Sequence, residues 1–398
     1  MTSRKILISG AGIAGPCLAY WLLQYGFEPV LVERAPSLRS GGYIIDFWGL
    51  GFEVADRMGL LPALRHEGYD VEEFRIVDRN GARTGGFSSR AFQAVLGDRY
   101  LSVLRSDLSR LLYDSLRGRV RAVFADSIAA LAQDDDGVAV TFHHAPAERF
   151  DLVIGAGGLH SPVRNLVFGP KGAFEDYLGY HAAAFSVAGY PQRDPHAYVS
   201  FAAPGRQVSR YALRGDRTVF FFVFAADTRL AISPHDSDAQ KDALRAVFGQ
   251  DSWELPAILR ALDEADDLYF DAVSQIHMES WTKGRIALMG DACFAPSLLA
   301  GQGSALAMAA AYILAGELKT AAGDHRSAFA AYERMLQPFM ASKQRAARSF
   351  ARSFAPRTEF GIVLRNQITR LMTQPFVAKL FMGRLLTDPL PLPDYASA

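Results

Sequence analysis

Residues 10–15 read Gly-Ala-Gly-Ile-Ala-Gly. Glycines at this spacing serve three ends. They turn the chain tightly, bring backbone N–H groups up to a pyrophosphate, and let a helix pack closely on a strand. The setting sharpens the signal. The run follows the apolar "KILIS", opens the helical stretch "IAGPCLAYWLLQYG", and is followed by Glu33 at the end of "EPVLV". An acid about 20 residues after the glycines accepts hydrogen bonds from ribose hydroxyls. The implied chemistry is dinucleotide binding at Gly10, Gly12, Ala14, Gly15 and Glu33, with Arg34 beside them. The motif by itself does not separate FAD from NAD.

A second chemical stretch is "GDACFAPSLLAGQGSALAM". Asp291 follows the apolar run "RIALM", and Pro296, Gly301, Gly303 and Ser304 lead into an alanine-rich helix. A helix N-terminus favours negative charge, and small residues admit the close approach of a flat ligand. Taken alone, the stretch fits equally a Gly-Asp turn feeding a helix packed tightly through alanines. A third stretch, "GAGGLHSPVR" at 155–164, also ends an apolar run and offers Ser161 and Arg164.

The elements that must position these residues follow from pattern. Apolar runs at 5–10, 28–33 and 150–158, with a helical segment between the first two, predict a parallel, doubly wound sheet. "YLSVLRSDLSRLLYDSL" predicts a strand and then a helix capped near Ser106. Turns at Asn80-Gly81 and Asp136-Gly137 predict hairpins. From about 179 to 230, short aromatic and β-branched runs predict a separate antiparallel sheet. Helices follow from Thr320. The expected fold class is α/β, a Rossmann-like nucleotide domain with an inserted antiparallel-sheet domain and C-terminal helices. The expected division is 1–75, 100–170 and 271–340 for the nucleotide domain, 76–99 and 171–270 for the substrate domain, and 341–398 for the helical extension.

Composition narrows the classes. The chain has 398 residues, half of them hydrophobic, with 42 basic and 42 acidic side chains. That balance gives no bulk drive toward nucleic acid or an anionic membrane. Cys17 and Cys293 form neither metal spacing nor a disulfide framework, which suits a reducing compartment. No H-E-x-x-H or Cys/His cluster indicates a metal, and no G-x-S-x-G follows a strand. No apolar stretch reaches the ~18 residues of a membrane span. The expectation is a cytoplasmic monomer or homodimer acting on a small molecule, with no metal, nucleic acid or membrane span.

Together the three stretches resemble the single-component class A flavoprotein monooxygenases with the para-hydroxybenzoate hydroxylase-like fold. The resemblance spans roughly 1–340 and implies FAD as cofactor and NAD(P)H as transient reductant. It implies oxygen transfer through a flavin hydroperoxide to an aromatic, phenolic or polyketide-like ring. By the same resemblance Arg39, Gly42 and Arg105 contact FAD, and Asp291 contacts its ribitol or ribose. Tetracycline-inactivating and antibiotic-tailoring enzymes are most similar in the segments "GGYIIDFWGLGFEVADRMGL" and "AGQGSALAMAAAYILAGEL", and the tail after Arg357 resembles a helix that covers the substrate entrance in some of them.

Two positions depart from the family pattern. Gly157 stands where the family usually has Asp, and Phe294 stands where many relatives carry His, an exchange expected to make the pocket more apolar. The expected substrate pocket lies between flavin and the strands near 180–225. Phe220, Phe222 and Phe224 share one face of "VFFFVF" and are its expected lining, with Asp46 and Tyr211 as polar contacts. No residue stands out as a general acid or base. The rival readings are a non-enzymatic FAD-binding or ligand-sequestering protein, for which the missing carboxylate at Gly157 speaks, and a flavin halogenase, whose W-x-W-x-I-P is absent.

Overall fold

The computed structural model describes residues 4–372 and 386–395, apart from Ser40, Gln192 and the side chains of 349–352. Parts of the expected extension, 373–385 and 396–398, lie outside the described residues. The apolar run Lys5–Ser9 pairs in parallel with Glu28–Val32 on one side and Leu152–Gly155 on the other. These strands are buried on both faces, as parallel strands covered by helices must be. The full six-stranded sheet adds Arg121–Val123 at one edge and Ile286–Leu288 with the antiparallel Thr282–Lys283 at the other.

The chain leaves Lys5–Ser9 toward Glu28–Val32 and returns later on the opposite side as Leu152–Gly155. The carboxyl ends of the two outgoing directions therefore diverge. Such a switch point is where open α/β sheets bind ligands. The ladder continues past the strand ends, with Gly10 N donating to Val32 O at 2.8 Å and Ala156 N to Ser9 O at 2.8 Å. Gly10 and Ala156 are thus fixed at the lip of the sheet.

Helices Ala14–Gln24 and Gly303–Thr320 pack on the sheet and on each other. The alanine-rich helix buries Ala309, Ala310 and Ala311 completely, while Ala305 meets Gly51 of the helix Gly49–Arg57 so closely that a Cβ on Gly51 would lie 2.4 Å from the Ala305 Cα. Small residues here first serve backbone-close helix packing.

A seven-stranded sheet forms the second layer, in the order 269–276, 175–188, 217–225, 206–213, 197–203, 73–77 and 83–88. It is antiparallel except where Ala197–Ala203 runs parallel to Glu73–Val77. The expected antiparallel sheet is therefore wider than its sequence texture, because the hairpin through Asn80-Gly81 extends it. Helices Ser237–Phe248 and Leu255–Ala261 cover the far face, and a two-stranded ribbon of Ile44–Trp48 with Tyr100–Leu104 joins the two layers. The long helix His325–Phe354 and the helix Glu359–Leu371 follow, the latter packed on Arg83–Ser88. The helix expected to be capped near Ser106 starts at Arg105 and has no side-chain cap.

Candidate functional site

Between the lip of the parallel sheet and the near face of the seven-stranded sheet lies a cleft of about 590 Å³. That volume is in the range of small-molecule sites. Gly10, Gly12, Ala14, Glu33, Arg34, Arg39, Gly42, Arg105, Asp291, Gly301, Gly303 and Ser304 all line it. Two of the expected residues do not. Gly15 sits behind the turn, where a Cβ would lie 1.9 Å from Gly10 O. Pro296 points its carbonyl away, accepting from Gln275 Nε2 at 2.8 Å.

The three glycines of the turn divide the work as the motif requires. Gly10 has φ +117° and a virtual Cβ 2.5 Å from Ala156 O, and Gly15 lets the helix touch the strand end. Gly12 has no protein atom within 4 Å of its virtual Cβ, so the space a side chain would take belongs to the cleft. Glu33 braces the turn. Its Oε2 accepts from Ala11 N at 2.8 Å and its Oε1 from Ala35 N at 2.9 Å.

Charge in the cleft is asymmetric. Arg34, Arg39 and Arg105 have no carboxylate within ion-pair distance among the described residues. Free guanidiniums beside a glycine turn at a helix N-terminus suit phosphate oxygens. Asp291 opens into the cleft from the turn Gly290–Ala292, with its Oδ1 3.6 Å from the virtual Cβ of Gly303. Its side chain is exposed to the open cleft, yet desolvation by the surrounding walls pushes its carboxyl above the usual range while Arg105 pulls the other way. Arg164 lies behind that turn, not in the cleft. It is fully buried and donates to Ala292 O at 2.9 Å and Leu159 O at 2.7 Å, tying the Asp291 turn to the 158–160 turn. Among the described residues no metal-type cluster lies in the cleft; the one Asp/Glu/His group, Asp70, Glu72 and His196, is exposed elsewhere.

Several lining residues carry no sequence motif. Tyr43 and Tyr269 face each other with ring centroids 5.8 Å apart, and burial raises both phenols. His160 Nε2 lies 2.8 Å from Asp271 Oδ2, joining the turn after Leu152–Gly155 to the second sheet. Burial works against the Asp271 carboxylate, but the bond and charge of His160, with Lys171, outweigh it and hold the carboxyl below its usual range. Ser297 has φ +114°, a strained value for a residue other than glycine, and lines the cleft. The only sequence cue for Tyr269 and Asp271 was the alternation in "LYFDAVSQI".

The pocket expectations need correction in three places. Phe220, Phe222 and Phe224 are at most 1% exposed and pack against the far-side helices, so they do not reach the cleft. The pleat turns Phe221 and Val223 to the near face instead, where Phe221 meets Tyr43 at 5.6 Å. Phe294 is 2% exposed and packs on Trp281 at 4.9 Å, so it does not make the cleft more apolar. Asp46 and Tyr211 lie outside the cleft but within the layer between the ribbon and the near face of the large sheet.

The comparisons agree with this arrangement. Residues 3–342 match the family described as FAD binding domain. The chain belongs to that family. A flavin-dependent monooxygenase of Legionella longbeachae is 34% identical over 395 residues, covering 99% of both chains. An uncharacterised protein of Mycobacterium tuberculosis is 39% identical over 342 residues, 86% of this chain and 92% of its own. The solved structure of tetracycline destructase Tet(51) matches with a TM-score of 0.83 at 34% identity, covering 99% of this chain and 100% of its own. Tet(55) matches equally, at 0.83 and 35%, over 99% of each chain. HpxO of Klebsiella pneumoniae, solved with FAD and uric acid, shares the fold at a TM-score of 0.80 and 24% identity, over 98% of each chain. The protein is an FAD-dependent monooxygenase of the class A fold. No helix among the described residues is long and apolar enough to cross a membrane.

Proposed function

We propose that this enzyme uses NAD(P)H and O₂ to hydroxylate an aromatic, phenolic or polyketide-like substrate, with tetracyclines the first compounds to test. The observation that carries the reading is the cleft itself. A glycine turn with open space at Gly12, three guanidiniums free of carboxylates among the described residues, and Asp291 converge at the switch point of a chain similar over its length to tetracycline destructases.

In this reading the N–H groups at 10–14 and Arg39 hold the FAD pyrophosphate, and Glu33 holds the adenosine ribose while bracing the turn. Asp291 would hydrogen-bond the ribityl chain, and the small residues at 301–304 would leave room for the ring system. Bound FAD supplies the redox chemistry, accepting electrons from NAD(P)H and passing one atom of O₂ to the substrate. The chain supplies the rest. Tyr43 and Tyr269, which line the cleft, with Phe221 packed against Tyr43, would exclude water and offer ring faces to a flat substrate. His160 and Asp271 hold the turn that carries Gly157 against that sheet. For the division of the chain, we take the substrate layer to begin at Glu73 and to run on to Ile276, since strands Glu73–Val77 and Tyr269–Ile276 both pair within the large sheet.

The test is to follow NADPH and O₂ consumption by the yellow holoprotein against phenolic acids, polyketides and tetracyclines, with mass spectrometry of the products. Substrate-stimulated consumption with gain of one oxygen atom supports the reading. A flavin-loaded protein that never oxidises NADH or NADPH with any of them contradicts it.

A further inference from the structure

Asp46 lies on the face of Ile44–Trp48 opposite Ile45, which lines the cleft. Its Oδ1 accepts from Tyr100 Oη at 2.7 Å and from Ser102 Oγ at 2.8 Å. Its Oδ2 takes no hydrogen bond, and no Lys, Arg or His pairs with the carboxylate, among the described residues. A carboxylate held between two layers without a cation is costly. Desolvation raises its pKa, with the two hydroxyl donors acting against the rise.

Its surroundings are aromatic. Tyr100 stacks on Phe92 at 4.9 Å, Phe92 meets Phe74 edge-on at 5.6 Å, Phe74 meets Tyr198 at 6.0 Å, and Tyr198 stacks on Tyr211 at 6.2 Å. This arc runs from the ribbon across the near face of the large sheet. Asp46, Phe74, Tyr100 and Tyr198 all keep part of their surface exposed although they lie between layers, whereas Phe220 and Phe222 on the far face are at 0%. These four side chains thus keep surface open to solvent. At the Tyr211 end the exposed acids Asp70 and Glu72 add negative potential. There too a cation already rests on a ring face, Arg214 lying 4.6 Å from the Tyr69 centroid.

A lone carboxylate in an arc of ring faces fits one ligand class better than others. An organic ammonium gains a charge-assisted hydrogen bond and cation–π attraction together. A neutral donor gains only the hydrogen bond, and an anion is repelled. We propose that Asp46 and the arc from Tyr100 to Tyr211 form a subsite for a cationic amine, so that the enzyme's substrate is a ring system bearing an ammonium group. The identity of the bound molecule as the oxidised substrate rests on the monooxygenase reading above; the amine preference does not.

The test titrates the oxidised FAD-loaded protein, without NAD(P)H, with tetracycline and with its analogue lacking the 4-dimethylamino group, following flavin absorbance and fluorescence. Wild type should bind the amine-bearing compound about tenfold or more tightly. Asp46→Asn should abolish that preference, and Tyr100→Phe should keep it. If Asp46→Asn fails to hold flavin, Tyr198→Leu is the variant to read, and it should lower the preference several-fold. Equal affinity for the two compounds, no binding of either, or a preference that survives both Asp46→Asn and Tyr198→Leu overturns the proposal. No turnover is needed, so a protein that shows the preference yet transfers no oxygen would sink the monooxygenase reading and leave the subsite standing.

Discussion

Gly12 and Gly15 lie in one motif, yet substituting them should have opposite consequences. Neither has a positive φ, so alanine is allowed by the backbone at both. At Gly15 the added Cβ would lie 1.9 Å from Gly10 O and 3.1 Å from its carbonyl carbon. Those are backbone atoms locked into the sheet, so the helix itself must move. Overpacking costs about 1–3 kcal/mol, and a rigid backbone neighbour puts Gly15→Ala at about 3 kcal/mol, a large part of a net stability of about 5–15 kcal/mol. At Gly12 the Cβ meets no protein atom within 4 Å. Gly12→Ala should leave apoprotein stability within about 0.5 kcal/mol. Its methyl would instead stand where the cofactor's phosphates must approach the N–H groups. Loss of one hydrogen bond to a charged group is worth about 1.5–3 kcal/mol, or a roughly 10- to 100-fold weaker Kd for FAD. Thermal melts of apoprotein and holoprotein, with a flavin titration, separate the two effects. A Gly12→Ala protein that binds FAD as wild type does, or a Gly15→Ala protein that melts with wild type, refutes this division of labour between the two glycines.

Four other outcomes are expected. Asp291→Ala should shed FAD on dialysis while melting near the wild-type apoprotein; unchanged flavin content removes its role. Phe222→Ala should destabilise the fold by about 3–5 kcal/mol without altering the flavin spectrum of the folded fraction, as denaturant curves and absorbance will report. Asp271 has a depressed carboxyl pKa in the folded state. Its pairing with His160 is therefore present above the unfolded value of about 3.9 and lost as pH falls through the lower folded value. Asp271→Asn should thus lower the melting temperature at neutral pH, and the gap to wild type should shrink as pH falls below about 4; a gap that widens on acidification contradicts the pairing. Gly157→Asp would restore the family carboxylate with its Cβ 3.1 Å from Pro162 Cδ, a contact the ring can relieve. We expect a folded protein, about 1 kcal/mol less stable, with faster flavin reduction by NAD(P)H in stopped flow.

The cleft residues proposed to hold the cofactor were legible because they answer to backbone geometry. Gly10, Gly12, Glu33 and Asp291 sit at strand ends that periodicity locates, and their spacing carries the chemistry. The residues proposed to face the substrate were not. Phe220 and Phe221 are equally apolar, and which of them lies on the near face of the large sheet depends on which side helices Ser237–Phe248 and Leu255–Ala261 cover, a tertiary choice invisible in "VFFFVF". Tyr43, His160 and the strand carrying Tyr269 and Asp271 are three separate segments brought together only by the contact of the two layers. The alanine-rich helix Gly303–Thr320 shows why its segment read two ways: Ala307 lines the cleft while Ala309–Ala311 pack helix against helix, so both readings hold on different faces.

Oxygen transfer is tested most directly by isotope. The FAD-loaded protein, NADPH and ¹⁸O₂ are incubated with tetracycline and with the phenolic and polyketide panel, and the products are weighed by mass spectrometry. One ¹⁸O atom in product, with NADPH consumed in step, is the predicted result. NADPH consumed solely to give hydrogen peroxide, or product oxygen drawn from water, would contradict oxygen transfer by this enzyme.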